Sequence, residues 1–179
     1  MSNVYHTPSN LDSAYLIKLY SVINENQNIV TFLHNTPTKQ NADNILENGF
    51  KFQGHLDYTS DIISSKDIIG LKYFSQIRKH YGNYTIIIQI SKKIITEYTE
   101  RLKNTEYHFS EALTAKPPSK TCDDEFTYCL SPNFIKGYLN TKNADFVLNQ
   151  KFNPSLKIKT FEENIEKLIL LHKKNLSHK

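Results

Sequence analysis

Apolar and polar positions along this chain follow several distinct periods. Leu11, Tyr15, Leu16, Leu19, Tyr20 and Ile23 recur at helical spacing behind a Ser9-Asn-Leu-Asp12 capping signature, which predicts a helix over residues 11–24. An asparagine-rich stretch ends it, and Ile29–Leu33 is a short β-branched run that reads as a strand. Asn35-Thr-Pro37 predicts a turn. A short helix over 39–48 turns Ala42, Ile45 and Leu46 inward, and Gly49 suits the left-handed position after its end. Residues 53–67 read as an irregular surface loop. Leu71–Phe74 reads as extended, followed by a helix from Ser75 to Tyr81 that Gly82-Asn83 breaks.

The unbroken apolar run in Tyr84–Ile90 predicts a strand buried on both faces. Residues 91–103 read as helix and 104–121, with Pro117-Pro118, as a loop. Phe126–Leu130, Ile135–Leu139 and Phe146–Leu148 read as strands. Thr160-Phe-Glu-Glu163 has the form of a capping box, and Ile165, Leu168, Ile169 and His172 line one face of the helix it would open, widened by Leu170 and Leu171. The pattern predicts an α+β fold with a mixed sheet in a single domain over residues 1–179. Its core spans about 29–150, with helical extensions over 9–25 and 160–175.

Composition narrows the function classes. In 179 residues there are 5 glycines, and neither GxGxxG nor GxxxxGK[ST] occurs, so a glycine-rich phosphate loop is not expected. The net charge of +4 permits an anionic partner without demanding one. Cys122 and Cys129 match no zinc or redox spacing, which predicts two free thiols in a reducing cytoplasm and no metal. The start MSNVYHTPSN lacks a signal-peptide layout, and TIIIQI (85–90) is too short to span a bilayer. These features predict a cytoplasmic protein, of a host or a target cell, with no membrane partner.

Three segments carry the candidate chemistry: LHNTPTKQNADNILENGFKF (33–52), GLKYFSQIRKHYG (70–82) and DDEFTYCLSPNFIKGYL (123–139). Each has a bland reading. A histidine at a strand end is often an amphipathic plug, a strand tyrosine is usually core, and Asp123-Asp124 read as a solvated turn. In this order, however, the segments resemble the ADP-ribosyltransferase fold in its His-Tyr-Glu branch, which includes the poly(ADP-ribose)-polymerase and diphtheria-toxin types. His34-Asn35-Thr36 and Ile45–Phe50 stand where that family has His-Gly-Ser/Thr, a helix and a Gly-hydrophobic finish. Tyr73-Phe74-Ser75 and Tyr81 resemble its second element, and Glu125-Phe126 through Tyr138-Leu139 its third. The resemblance covers about residues 29–140. Two departures fall at the nicotinamide wall: Asn35 replaces the usual glycine, and SQIRKHY lacks the expected alanine.

The resemblance implies NAD⁺ as co-substrate. Loss of nicotinamide turns a pyridinium into a neutral amide, so no general acid is needed. The developing charge on the ribose is what requires stabilisation, as in glycoside cleavage. By resemblance Glu125, Tyr73 and His34 are the catalytic set. Glu125, with an ordinary carboxyl value of about 4.3, would be ionised and would bond the ribose 2′-hydroxyl. Tyr73 and Tyr81 would hold the nicotinamide ring, and His34 a ribose hydroxyl of the adenosine half. Asn35, Thr36 and Ser75 complete the NAD⁺-binding set. Strand alternation directs Glu125, Thr127 and Cys129 to one face and Phe126, Tyr128 and Leu130 to the other.

The expected activity is mono-ADP-ribosyl transfer from NAD⁺ to a macromolecule, either a nucleic-acid base or a protein side chain. Small size and a Lys/Asn/Ile-rich composition suggest a bacterial or phage-associated toxin, effector or defence protein, with a neutralising antitoxin or immunity protein as a further expected partner. The loop 109–121, with Lys116 and Lys120, would border the acceptor. NAD⁺ hydrolysis with water as acceptor uses the same site. Transfer of an RNA 2′-phosphate would call for arginines beside His34, where Phe32 and Leu33 stand instead. A non-catalytic binding module of the same fold is the remaining alternative.

Overall fold

The computed structural model describes residues 10–24, 26–63, 74, 81–120 and 126–179, with side chains from residue 14 onward except at residue 120. Its elements in chain order are α1 (Asn10–Ile23), β1 (Ile29–Thr36), α2 (Lys39–Asn48), β2 (Phe50–Gln53), a 3₁₀ turn (Leu56–Tyr58), β3 (Asp61–Ile63), β4 (Tyr84–Ser91), α3 (Lys92–Arg101), α4 (Phe109–Ala112), β5 (Ser119–Lys120), β6 (Phe126–Leu130), a 3₁₀ turn (Pro132–Phe134), β7 (Ile135–Asn140), β8 (Phe146–Leu148) and α5 (Lys159–Ser177). The α+β class holds. No helix among the described residues is long and apolar enough to cross a membrane.

The strands form two sheets, β3-β1-β4-β7-β8 and β2-β6-β5. Every described pairing is antiparallel, which corrects the expectation of a mixed sheet. A parallel pair needs a helical crossover that lands the next strand beside the first. Here the strand after β1-α2 is β2, which joins the other sheet, so no such unit forms.

β4 occupies the middle of the larger sheet, as its unbroken apolar run predicts. Ile86, Ile88 and Ile90 point into the core between the two sheets, with Phe32, Phe50, Tyr98, Phe134 and Phe161. Ile87 faces the other way, into a smaller cluster with Tyr15, Leu19, Ile23, Leu33 and Phe74. Two of the buried polar residues of β4, Thr85 and Gln89, are bonded through their side chains. Thr85 shares a 2.7 Å hydrogen bond with the Tyr15 hydroxyl. Gln89 donates to the Ile23 carbonyl at 2.7 Å and to Thr31 Oγ1 at 3.1 Å. These bonds remove the desolvation penalty that a polar group in a core otherwise carries, and they tie α1 to the sheet.

Several local expectations give way to tertiary contacts. β1 runs through the expected turn as far as Thr36, because each residue to that point pairs with β4, ending at Thr36↔Tyr84. The expected loop 53–67 contains the Leu56–Tyr58 turn and β3, and the expected loop 104–121 contains α4 and β5. Residues 109–114 of that second loop are buried. Thr160 does not cap α5: the helix begins one residue earlier, behind Ile158, with no side-chain cap bond. The α2 boundaries match the sequence pattern. Thr38 accepts from the Asn41 backbone N–H at one end, and Gly49 (φ +100) donates to the Ile45 carbonyl at the other.

Candidate active-site cleft

β1 sets the first wall. Residues 34–36 extend past its last pair with β3, Leu33↔Asp61, so this end of the strand borders a cleft on that side. The cleft is a cavity of about 330 Å³ lined by His34, Asn35, Asp57, Tyr58, Thr59, Ser60, Asp61 and Tyr81. That volume lies within the range of small-ligand sites.

His34 lies opposite Ile86 on the inter-sheet face of β1, with its ring 4.8 Å from that of Phe50. Its Nδ1 lies 2.6 Å from the Thr59 carbonyl oxygen. A carbonyl can only accept, so Nδ1 carries the proton, and in the neutral ring Nε2 is the acceptor. Asn35 projects to the opposite face and donates from Nδ2 to the Gly82 carbonyl at 3.1 Å. Its Oδ1 is buried without a hydrogen-bond partner among the described residues. A buried carbonyl of this kind is costly unless something donates to it.

Gly82 makes the crossing of the two segments possible. At φ +148 it lies in backbone space that side chains rarely enter, and a Cβ here would sit 2.2 Å from the Thr36 carbonyl carbon and oxygen. Gly82→Ala is therefore expected to cost about 2 kcal/mol or more and to disturb the Tyr81 wall. Thermal unfolding checks this, and an unchanged midpoint would mean that the close crossing is not required.

The structure thus brings together His34, Asn35 and Tyr81 of the residues expected at the site. Thr36 is buried and is not among the residues lining the cleft. Tyr73, Ser75 and Glu125 lie outside the described residues, as do Cys122 and Asp123. Of the expected thiols, Cys129 is free and half-buried; it donates to the Asn48 carbonyl at 3.1 Å, and burial pushes its ionisation upward. No cluster of three or more metal-ligating side chains occurs among the described residues.

Tyr58 is shared with a second cavity of about 540 Å³, lined by Gln53, Gly54, His55, Tyr58, Glu106, Tyr107, Glu111, Phe126 and Tyr128. Its acidic residues do not stand out in the sequence. Glu111 sits in α4 and is only 5% exposed. Its carboxylate accepts from the His108 backbone N–H at 3.4 Å, while His108 Nδ1 accepts from the Ser110 N–H. This is a capping box with histidine as the cap residue, and His108-x-x-Glu111 is the signal that could have marked it. Glu111 Oε1 lies 3.2 Å from His55 Nδ1, and the Tyr128 hydroxyl donates towards the same carboxylate. Burial pushes the Glu111 carboxyl up to about 7. It also pushes His108 downward against the opposing pull of Asp57, so His108 is not a standing cation beside the acid.

Comparison of the chain with protein-family models, curated proteins and solved structures finds no match.

Proposed function

We propose that the chain is a mono-ADP-ribosyltransferase that binds NAD⁺ in the cleft at the end of β1. The observation that carries this reading is the convergence of His34, Asn35 and Tyr81, from segments nearly fifty positions apart, on one cavity of ligand size. These are the residues that the resemblance assigns to the dinucleotide. The chemistry of the walls agrees with it. The Thr59 contact fixes the His34 imidazole, a group of the kind a ribose hydroxyl engages, at the cavity wall. Asn35 Oδ1, buried and without a partner among the described residues, suits a carboxamide N–H such as that of nicotinamide. Tyr81 lines the cavity with an aromatic ring of the kind a flat heterocycle packs against.

The acceptor is a macromolecule. β6 begins beside the second cavity, and Glu125 precedes its first residue in the chain.

The test is incubation of the protein with NAD⁺ labelled in its adenylate half, together with RNA, DNA and cell lysate. Labelled macromolecule with stoichiometric free nicotinamide is the expected result. Nicotinamide with labelled ADP-ribose and no labelled macromolecule would replace transfer by hydrolysis. Neither product would leave a binding module.

A further inference from the structure

His34 is held at the cleft wall by a turn that is itself held from outside the cleft. The His34 Nδ1–H bonds to the Thr59 carbonyl at 2.6 Å, and Thr59 closes the short turn that opens at Leu56. Leu56 is fully buried, and both of its backbone polar groups are bonded. Its carbonyl accepts from the Thr59 N–H at 3.1 Å, from the Thr59 hydroxyl at 3.2 Å and from the Ser60 hydroxyl at 2.7 Å. Its N–H donates at 3.2 Å to a side chain 54 positions away, Ser110 Oγ in α4.

Ser110 is fully buried as well. Its oxygen accepts from Leu56, and its single hydroxyl proton goes to His108 Nδ1 at 2.8 Å. Nδ1 also accepts from the Ser110 backbone N–H at 3.4 Å, so it is the unprotonated nitrogen of a neutral ring. Nε2 then carries the proton, 3.7 Å from an Asp57 carboxylate oxygen. The bonds form one chain from His108 through Ser110, Leu56 and Thr59 to His34, and neither His108 nor Ser110 lines the cleft. A buried N–H without an acceptor is costly, so loss of the Ser110 hydroxyl forces the peptide at Leu56 to turn elsewhere. Hydrogen bonds weaken steeply off line, and the bond made by one ring nitrogen decides which tautomer a neutral histidine adopts.

We propose that Ser110 and His108 are positioning residues for His34: acting through Leu56, they set the place of the Thr59 carbonyl and with it the tautomer and direction of an imidazole in a cleft that neither of them lines. What His34 then holds rests on the NAD⁺ reading. The relay itself does not, and the experiment reads His34 directly in the free protein.

The test is heteronuclear NMR of the histidine ring nitrogens in the full chain at pH 8, where His108, pushed downward by burial, is neutral. In wild type His34 is expected in the Nδ1–H form, with the other tautomer below about a tenth. Ser110→Ala removes the acceptor from Leu56 at nearly constant volume and is expected to raise the minor His34 tautomer at least about threefold. His108→Asn places an amide oxygen where Nδ1 stood and should keep the wild-type His34 signature, whereas His108→Ala should lose it. Ile23→Val truncates the core cluster that does not contain Leu56; it lowers stability and should leave His34 as in wild type. That control separates the relay from general loosening, and the His108 pair decides the matter if Ser110→Ala does not fold. The proposal is overturned if wild-type His34 is not the Nδ1–H form, or if folded Ser110→Ala keeps the wild-type tautomer. It is equally overturned if the two His108 variants give the same His34 signature, or if Ile23→Val shifts His34 as far as they do.

Discussion

Glu125→Ala is expected to lower the rate of nicotinamide release from NAD⁺ by about 10²–10³-fold with little change in KM. The reasoning starts from where charge appears. Nicotinamide leaves as a neutral amide, and the positive charge remains on the ribose until the acceptor attacks. A carboxylate bonded to the 2′-hydroxyl interacts more strongly with that charge than with the bound ground state, so its loss falls on kcat. His34→Ala should behave differently. His34 is held by the Thr59 carbonyl at a cavity wall, in a position suited to bind the adenosine ribose, which carries no developing charge. Its loss should raise KM by roughly tenfold and leave kcat within a few-fold. Steady-state kinetics on both variants, with circular dichroism to verify folding, separate the two roles. Full activity in Glu125→Ala would remove the catalytic assignment. An unchanged KM in His34→Ala would remove the nucleotide contact.

The difference in what the sequence reveals follows from element length. β4 and helices α1, α2 and α5 carry full periods of apolar residues, and their boundaries were legible to within a residue or two. Gly49 was legible for a specific reason: a Cβ there would meet the Leu130 carbonyl oxygen at 2.1 Å, and φ is +100. β3 (Asp-Ile-Ile) and α4 (Phe-Ser-Glu-Ala) are shorter than any period can register, and neighbours hold them in place. Leu33 pairs with Asp61, while Asn164 donates to the carbonyls of Ala112, the last residue of α4, and of Thr114 just beyond it. The same division applies to the sites. His34, Asn35 and Tyr81 could be found because their flanking residues form a recognisable order. Glu111 could not, because its unusual character comes from burial against residues fifty or more positions away, such as His55, and a lone glutamate in a presumed loop is usually solvated.

That burial has a measurable consequence. Glu111→Gln is expected to stabilise the protein at pH 8 and to have almost no effect at pH 4. In the unfolded chain the carboxyl ionises near its ordinary value of 4.5, and in the folded protein burial pushes it up to about 7. Below 4.5 both states are protonated and the group contributes no difference. Between 4.5 and 7 the unfolded chain releases its proton while the folded one retains it, so stability falls as pH rises. Above 7 both states are ionised and the full penalty remains, roughly 3 kcal/mol from that span. Glutamine carries no charge and can still accept from the His108 N–H, so the cap survives while the penalty disappears. For a chain of 179 residues this corresponds to a gain of roughly 5–10 °C in unfolding midpoint at pH 8. An equal midpoint for both proteins across pH 4–8 would mean that the Glu111 carboxyl is not held at an elevated value.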